Sequence, residues 1–236
     1  MPHQHSLPFR PGRGGPRRNA GRKRLAPRPL VPHRARAEHK ARHPVHVTLR
    51  SAFRPLRSEY VFPTVCIAIR GATRRDPERF RVLHFSVQWD HVHLIVEASD
   101  ARALSSGVRG LAIRLARYVN QLVTRRGRFW ADRWHGRALT TPRAVRNALV
   151  YVFANFRKHA RARLADGVDA FSSSSAFDGW RGARSAELAR AGPPFHRAMA
   201  AHIVVSAPES WLASTGWRRH GLLGVGEVPA ATERIH

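Results

Sequence analysis

Two apolar segments separated by only two residues constrain the fold of this chain most strongly. The first spans residues 80–88, and the second spans residues 91–97, directly after Trp89-Asp90. In both segments the side chains alternate with a period of two, which is typical of strands, and so short a connection joins antiparallel neighbours. The sequence therefore predicts a β-hairpin, against which the other elements must pack.

Further elements are predicted on both sides of this hairpin. Two more strands are predicted over 45–50 and 136–139. Helical spacing of apolar residues and N-cap signals predict three helices. The first lies within 57–75, although Pro63 falls inside it. The second runs from Ser99 or Asp100 to about Arg126, and the third begins at Pro142 after the N-cap Thr141. The order strand, helix, strand, strand, helix, strand, helix predicts an α+β fold, namely a ferredoxin-like sandwich with a central antiparallel sheet plus an extra C-terminal helix.

The charge of the chain predicts a polyanionic partner. Lys and Arg number 42 against 15 Asp and Glu, which gives a formal net charge of +27. So large a surplus repels itself in a compact state unless a polyanion shares the surface, and nucleic acid is the usual one. Only three of the basic residues are lysines. Because a GC-rich genome produces the same arginine bias without selection for binding, charge alone leaves both explanations open.

Composition divides the chain into three parts. Residues 1–44 are rich in proline and arginine and predict a disordered basic arm with few apolar residues to order it. Residues 45–165 hold the predicted strands and helices. Residues 166–236 contain a serine run and a Gly-Pro-Pro cluster, and they predict a loosely packed C-terminal extension. Large aromatic side chains could dock this extension onto the core, namely Trp180, Trp211 and Trp217.

The sequence predicts a cytoplasmic protein. The single cysteine, Cys66, cannot form an internal disulfide and fits a reducing compartment. No stretch approaches the ~18 uninterrupted apolar residues of a membrane span. The N-terminus is rich in Pro, Gly, His and Arg rather than in the apolar residues of a signal sequence. We therefore expect no membrane partner.

Two groups of polar residues are candidates for metal binding or catalysis. On the second hairpin strand, alternation places His91 and His93 on one face, which suits two ligands of one metal ion, although such pairs are also common without a metal. On the last predicted helix, the face opposite an apolar stripe carries Asn147, Tyr151, Asn155 and Lys158. The phenol of Tyr151 could attack an electrophilic phosphorus, or its ring could simply be half-buried on an amphipathic helix.

Three segments in this order resemble one known family. They are His91-Val92-His93, Trp130-Ala131-Asp132-Arg133-Trp134 and Tyr151-Val152-Phe153-Ala154-Asn155. Together they resemble the single-tyrosine transposases of the HUH endonuclease superfamily, specifically the REP-associated tyrosine transposases, over about residues 45–160. The chain departs from the family pattern at Phe156, where proline is usual, and at Trp134, where a tyrosine usually follows the arginine.

The resemblance implies an activity, a cofactor and catalytic residues, and it makes 45–165 the expected HUH transposase catalytic domain. A divalent metal ion, Mg²⁺ or else Mn²⁺, would be held by His91 and His93, with Asn155 as a third ligand. Tyr151 would attack the scissile phosphate. The expected products are a 5′-phosphotyrosine and a free 3′-hydroxyl, so that DNA is nicked and rejoined without a nucleotide cofactor.

The implied partner is single-stranded DNA, with hairpin-forming repeat ends. A basic surface that carries aromatic residues can stack unpaired bases while its arginines bind phosphates. The resemblance also implies transposition of a mobile element, allows a homodimer, and favours association with a bacterial nucleoid. The expected DNA contacts are Arg114, Arg117, Arg125, Arg126, Arg128, Trp130, Arg133 and Lys158.

Two other functions fit parts of the sequence. The chain could be a domesticated nucleic-acid-binding protein that keeps the same fold without cleavage. It could also be a two-histidine phosphoesterase, since His46-Val47-Thr48-Leu49 and His84-Phe85-Ser86-Val87 both match the His-x-Ser/Thr-hydrophobe motif of those enzymes. That second alternative needs no metal and leaves Tyr151 without a role.

Overall fold

The computed structural model describes residues 38–159, 168–182, 187 and 194–229. Most of the predicted basic arm, residues 1–37, lies outside the described residues. The elements of the sheet and its helices are β1 (Val45–Arg50), α1 (Phe62–Thr73), β2 (Phe80–Val87), β3 (His91–Ala98), α2 (Ala101–Leu122), β4 (His135–Ala138), α3 (Pro142–Ala154) and α4 (Phe156–His159). The later described residues form two short helices, Pro194–Ala200 and Trp211–Ser214, and two 3₁₀ turns, Ser173–Ala176 and Gly216–His220.

The four strands form one antiparallel sheet in the order β2-β3-β1-β4. β2 and β3 are the predicted hairpin, and Gln88 N donates a hydrogen bond to His91 O (2.8 Å) across its turn. With α1 between β1 and β2 and α2 between β3 and β4, this is the ferredoxin-like arrangement. The predicted α+β sandwich is therefore confirmed.

Two of the helices begin at the polar caps that the sequence indicates. The carboxylate of Asp100 accepts a hydrogen bond from Ala103 N (2.7 Å) at the start of α2. The hydroxyl of Thr141 accepts one from Ala144 N (3.1 Å) at the start of α3. Each cap satisfies a backbone N–H that has no partner within its own helix, which explains why the helices begin there.

The other predicted helix boundaries shift for local backbone reasons. α1 begins at Phe62, so that Pro63 lies in its first turn, where a missing N–H costs nothing. α2 ends at Leu122 and not at Arg126 as predicted. Thr124 takes a left-handed backbone conformation (φ 50°), which an α-helix cannot contain.

The two faces of the sheet are covered by different elements. α1 and α2 cover one face, whose core contains alternate apolar residues of β1 and β3, namely Val45, Val47, Leu49, Val92, Leu94 and Val96. α3 covers the other face, where Leu83 and Ile95 pack against it. The polar residues of β1 and β3 lie on the α3 side, as their alternation predicts.

A second core joins α3 to the C-terminal part of the chain. Phe153 of α3 packs with Phe177, Trp180 and Trp217, and the side chain of Trp217 is only 1% exposed. Trp211 is 48% exposed. α3 therefore has two buried sides rather than one apolar stripe. The domain boundaries at 44 and 165 stay predictions.

Residues 203–205 are apolar but form no strand. The segment is linked to β2 where Ser206 N donates a hydrogen bond to Val82 O (2.9 Å). The β2–β3 register shifts between Val82 and His84, so β2 offers no regular edge there for a further strand. Within the described ranges, no helix has the length and apolar character needed to cross a membrane.

Candidate functional site

The α3 side of β3 brings two imidazole rings together. His91 and His93 lie on the same face of the strand, and their ring centroids are 4.6 Å apart at an interplanar angle of 80°. His93 is buried and His91 is partly exposed. The face that the sequence predicts for both residues is therefore the face that α3 covers.

Asp90 orients the ring of His91. Nδ1 of His91 donates a hydrogen bond to Asp90 Oδ1 (2.7 Å), while Arg50 and Arg54 bind Asp90 Oδ2 at 3.3 and 3.2 Å. Burial acts to raise the pKa of Asp90, but the hydrogen bond from His91 and the two guanidinium groups outweigh it and lower the pKa. The ionised carboxylate fixes the tautomer of His91 and leaves Nε2 as the nitrogen that carries a lone pair.

His93 has two polar neighbours on β1. His46 Nε2 and Thr48 Oγ1 each lie 3.2 Å from His93 Nδ1. Burial, followed by the charges of His135 and Arg137, lowers the pKa of His46 to about 4, so its imidazole is neutral at pH 7.

The sequence places His46 and Thr48 on the polar side of β1. It gives them a role only in the phosphoesterase alternative and does not include them among the residues expected for a transposase. The signal that identifies them is the strand register. Thr48 lies directly opposite His93, and His46 lies directly opposite Ile95. Side chains opposite each other on antiparallel strands share a face, so both residues come close to His93.

α3 brings Tyr151 to these histidines. The centroid of the Tyr151 ring is 5.0 Å from that of His93, at 81°, and 5.6 Å from that of His46, at 64°. Both are edge-to-face contacts. Burial raises the pKa of the Tyr151 phenol, so it is protonated at neutral pH.

Asn155 lies one turn after Tyr151, at the C-terminal end of α3, where its N–H donates to Tyr151 O (3.0 Å). The side chain is only 2% exposed, and its Nδ2 has no hydrogen-bond partner among the described residues. A 180° flip of the Asn155 amide would exchange the two atoms and place Oδ1 where Nδ2 now lies. Asn147, on the same helix, is exposed.

In the part of the chain that the structure describes, no three His, Cys, Asp or Glu side chains are grouped to hold a metal ion. A metal site on His91 and His93 would therefore need a ligand of another chemical type. The buried amide of Asn155 is such a group, because its carbonyl oxygen is a metal ligand.

Four of the predicted DNA contacts line one surface groove. This groove, with a volume of about 380 Å³, lies between the end of α2 and the loop that follows it. The four predicted contacts in its lining are Arg117, Arg128, Trp130 and Arg133. Ala131 N in the same loop donates to Arg50 O (2.9 Å), and Arg50 lies opposite His91 in the sheet. The loop is therefore attached at the end of the sheet where His91 lies.

The loop is held in shape by its own arginines. Arg125 donates to Asn120 Oδ1 (3.2 Å) and to Arg128 O (2.9 Å). Arg128 in turn donates to Trp130 O and to Ala131 O, both at 2.7 Å. These bonds place two charged groups close to the loop backbone.

The remaining predicted contacts do not line this groove. Arg114 packs on Gly71 of α1, where its Cδ would lie 3.4 Å from an added Cβ. Arg126 is exposed in the turn after α2. Lys158 belongs to α4, and its side chain lies outside the described part of the chain.

The geometry does not favour a two-histidine phosphoesterase. His46 and His84 are separated by Ile95, which pairs with both of them in the sheet. The ring of His84 lies between those of Phe153 and Phe177, with centroids 5.2 Å away in each case. Burial there lowers the pKa of His84 to about 4. His84 is thus part of the aromatic core rather than of a shared catalytic cleft.

Comparison with known proteins finds similarity among solved structures. No protein-family model and no curated protein matches the chain. Among solved structures, the chain is similar to a REP-associated tyrosine transposase bound to a REP hairpin. The identity is 18% and the TM-score is 0.45, over 56% of this chain and 77% of that one.

Proposed function

We propose that this protein nicks and rejoins single-stranded DNA by forming a covalent bond between Tyr151 and a 5′ phosphate. The observation that carries the proposal is the edge-to-face contact of Tyr151 with His93, next to the ring of His91. A tyrosine beside two neighbouring imidazoles combines a nucleophile with candidate metal ligands.

The side chains around this site suit a divalent metal ion. His91 and His93 would bind it, with Asn155 as a third ligand, and the hydrogen bond from His91 Nδ1 to Asp90 places the lone pair of His91 on Nε2. When bound, Mg²⁺ or Mn²⁺ would supply Lewis-acid polarisation of the scissile phosphate. No nucleotide cofactor is needed, because the phosphotyrosine bond keeps the energy of the broken phosphodiester.

In the proposed reaction, Tyr151 forms one bond to phosphorus while the DNA strand loses one. Its Oη attacks the phosphorus in line, the bond between phosphorus and the 3′ oxygen breaks, and a 5′-phosphotyrosine remains. Because burial raises the pKa of the phenol, its proton must leave during attack, and the departing 3′ oxygen takes up one proton. Attack of a 3′-hydroxyl on the phosphotyrosine reverses these steps and joins two strands.

The groove beside the loop after α2 is the proposed DNA contact. Arg117, Arg128 and Arg133 offer positive charge, and Trp130 offers an aromatic ring, a combination that suits unpaired nucleotides. Arg117→Ala should weaken the binding of a single-stranded oligonucleotide and reduce the salt dependence of that binding. Arg109, an exposed residue two turns earlier on α2, provides the matched control Arg109→Ala. Equal effects of the two variants would contradict a role for the groove.

A covalent adduct assay tests the proposed chemistry. The protein is incubated with labelled single-stranded hairpin oligonucleotides from repeats that flank its gene, with Mg²⁺, Mn²⁺ or EDTA. We expect a protein–DNA adduct on a denaturing gel that requires metal and is absent from Tyr151→Phe. The chain has three tyrosines, so Tyr60→Phe and Tyr118→Phe are the controls that keep the adduct. DNA binding without any adduct would favour a binding protein on the same fold.

A further inference from the structure

We infer that His46 is a positioning residue that fixes the tautomer of His93 and holds the ring of Tyr151. The inference extends the function proposed above, because it assigns the support of the proposed ligand His93 and nucleophile Tyr151 to one side chain. His46 lies on β1, in the strand next to β3, and contacts both residues.

The ring nitrogens of His46 and His93 lie within hydrogen-bond distance of each other. His46 Nε2 and His93 Nδ1 are 3.2 Å apart, so one of these nitrogens donates a proton and the other accepts it. We assign the proton to His93 Nδ1 and the lone pair to His46 Nε2. This assignment places the lone pair of His93 on Nε2, the same ring nitrogen that carries the lone pair of His91.

The two proposed ligands are thus supported by different groups. A carboxylate accepts the Nδ1 proton of His91, whereas a neutral imidazole and the hydroxyl of Thr48 lie at Nδ1 of His93. A hydrogen bond on the far nitrogen of a ligating histidine fixes both its tautomer and its orientation. Thr48 is the rival acceptor, because its Oγ1 is at the same 3.2 Å distance.

The ring of His46 contributes a second contact. It meets the ring of Tyr151 edge-to-face at 5.6 Å, while the ring of His93 meets Tyr151 at 5.0 Å. The phenol ring therefore has imidazole neighbours from two adjacent strands. Removal of the His46 ring would give Tyr151 more rotational freedom, which an in-line attack cannot tolerate.

Two variants separate these roles. His46→Phe keeps an aromatic ring beside Tyr151 but loses the nitrogen that accepts from His93. His46→Gln keeps an acceptor oxygen but loses the ring. We expect the tautomer of His93 to change in His46→Phe and to be preserved in His46→Gln. The ring of Tyr151 should stay in place in His46→Phe and become more mobile in His46→Gln.

Nitrogen chemical shifts of ¹⁵N-labelled histidine, read by long-range ¹H–¹⁵N correlation in the metal-free full-length protein, test the tautomer directly. We expect His93 to carry its proton on Nδ1 in the wild type and in the control His220→Phe, because His220 is an exposed residue in the 3₁₀ turn Gly216–His220. A proton on Nε2 in the wild type would overturn the inference, because His93 Nδ1 would then have no proton to donate to His46. An unchanged tautomer in His46→Phe would also overturn it and would assign the role to Thr48.

Metal affinity provides a second readout that does not depend on cleavage. Loss of a group that supports a metal-binding histidine costs about 10–100-fold in affinity, and we expect a loss of that size for Mn²⁺ in His46→Phe, measured by electron paramagnetic resonance. Equal Mn²⁺ affinity in wild type and variant would contradict the role of His46. No Mn²⁺ binding in the wild type would instead overturn the proposed metal site, while the tautomer measurement still decides the role of His46.

Discussion

Replacement of Trp217 by alanine should remove much of the stability of the core that supports α3. Trp217 is 1% exposed and packs on Phe177, with ring centroids 5.5 Å apart. A buried aromatic side chain removes about 150–250 Å² from water, and at about 25 cal/mol per Å² this burial is worth roughly 4–6 kcal/mol. Because alanine keeps part of this contact and the cavity relaxes, we expect a loss of about 3–5 kcal/mol in the free energy of unfolding.

Trp211→Ala is the matched control, because Trp211 lies in the same segment and is 48% exposed. Its loss should stay below about 2 kcal/mol, since only part of its ring leaves water on folding. Urea unfolding followed by far-ultraviolet circular dichroism gives both values without relying on tryptophan fluorescence. Equal losses in the two variants would refute the conclusion that Trp217 belongs to the core behind α3.

Two further changes test the packing on the other side of the sheet and at its end. Gly107→Ala should destabilise the protein by about 1–3 kcal/mol, because the added Cβ would lie 2.2 Å from the ring of Phe80. Gly110→Ala should instead stabilise it by about 0.5–1 kcal/mol, because no atom lies within 4 Å of the Cβ added there. Thermal unfolding of the pair checks this, and shifts of the same sign would contradict it. Arg57→Met should cost about 3–5 kcal/mol in urea unfolding, because it leaves the buried carboxylate of Asp169 without the guanidinium that binds both of its oxygens. A loss below about 1 kcal/mol would show that the pair is not a major source of stability.

The hairpin and the starts of two helices follow from local signals in the sequence. The period of two in β1 and β3 sets on which face of the sheet each side chain lies, and the short turn after β2 fixes the hairpin. Asp100 and Thr141 mark the starts of two helices because each side chain can cap a free backbone N–H. These signals act between neighbours in sequence, so the pattern of residues is enough to reveal them.

The polar neighbours of His93 depend on contacts between distant segments. Alternation shows that His46 lies on the polar side of β1, but only the pairing of β1 with β3 brings Thr48 opposite His93. A shift of this register by one residue would turn the polar side of β1 to the other face. The sequence pattern does not contain the register, and His46 therefore cannot be linked to Tyr151 from the sequence alone.

The second buried side of α3 has a similar origin. Val150 and Phe153 belong to the second core, and Phe177 and Trp180 pack on the ring of Phe153. The sequence indicates that the tryptophans could dock on the core, but it does not show on which surface. Aromatic side chains pack without a short-range sequence rule, so that surface had to come from the structure.

The attachment point of DNA tests the central claim most directly. The covalent adduct is purified, digested with nuclease and protease, and analysed by tandem mass spectrometry to locate the residue that keeps a nucleotide. The account predicts a nucleotide joined through its 5′ phosphate to Tyr151. A nucleotide on Tyr60, on Tyr118 or on any residue other than a tyrosine would contradict it, as would a protein that binds hairpin DNA and forms no adduct with Mg²⁺ or Mn²⁺.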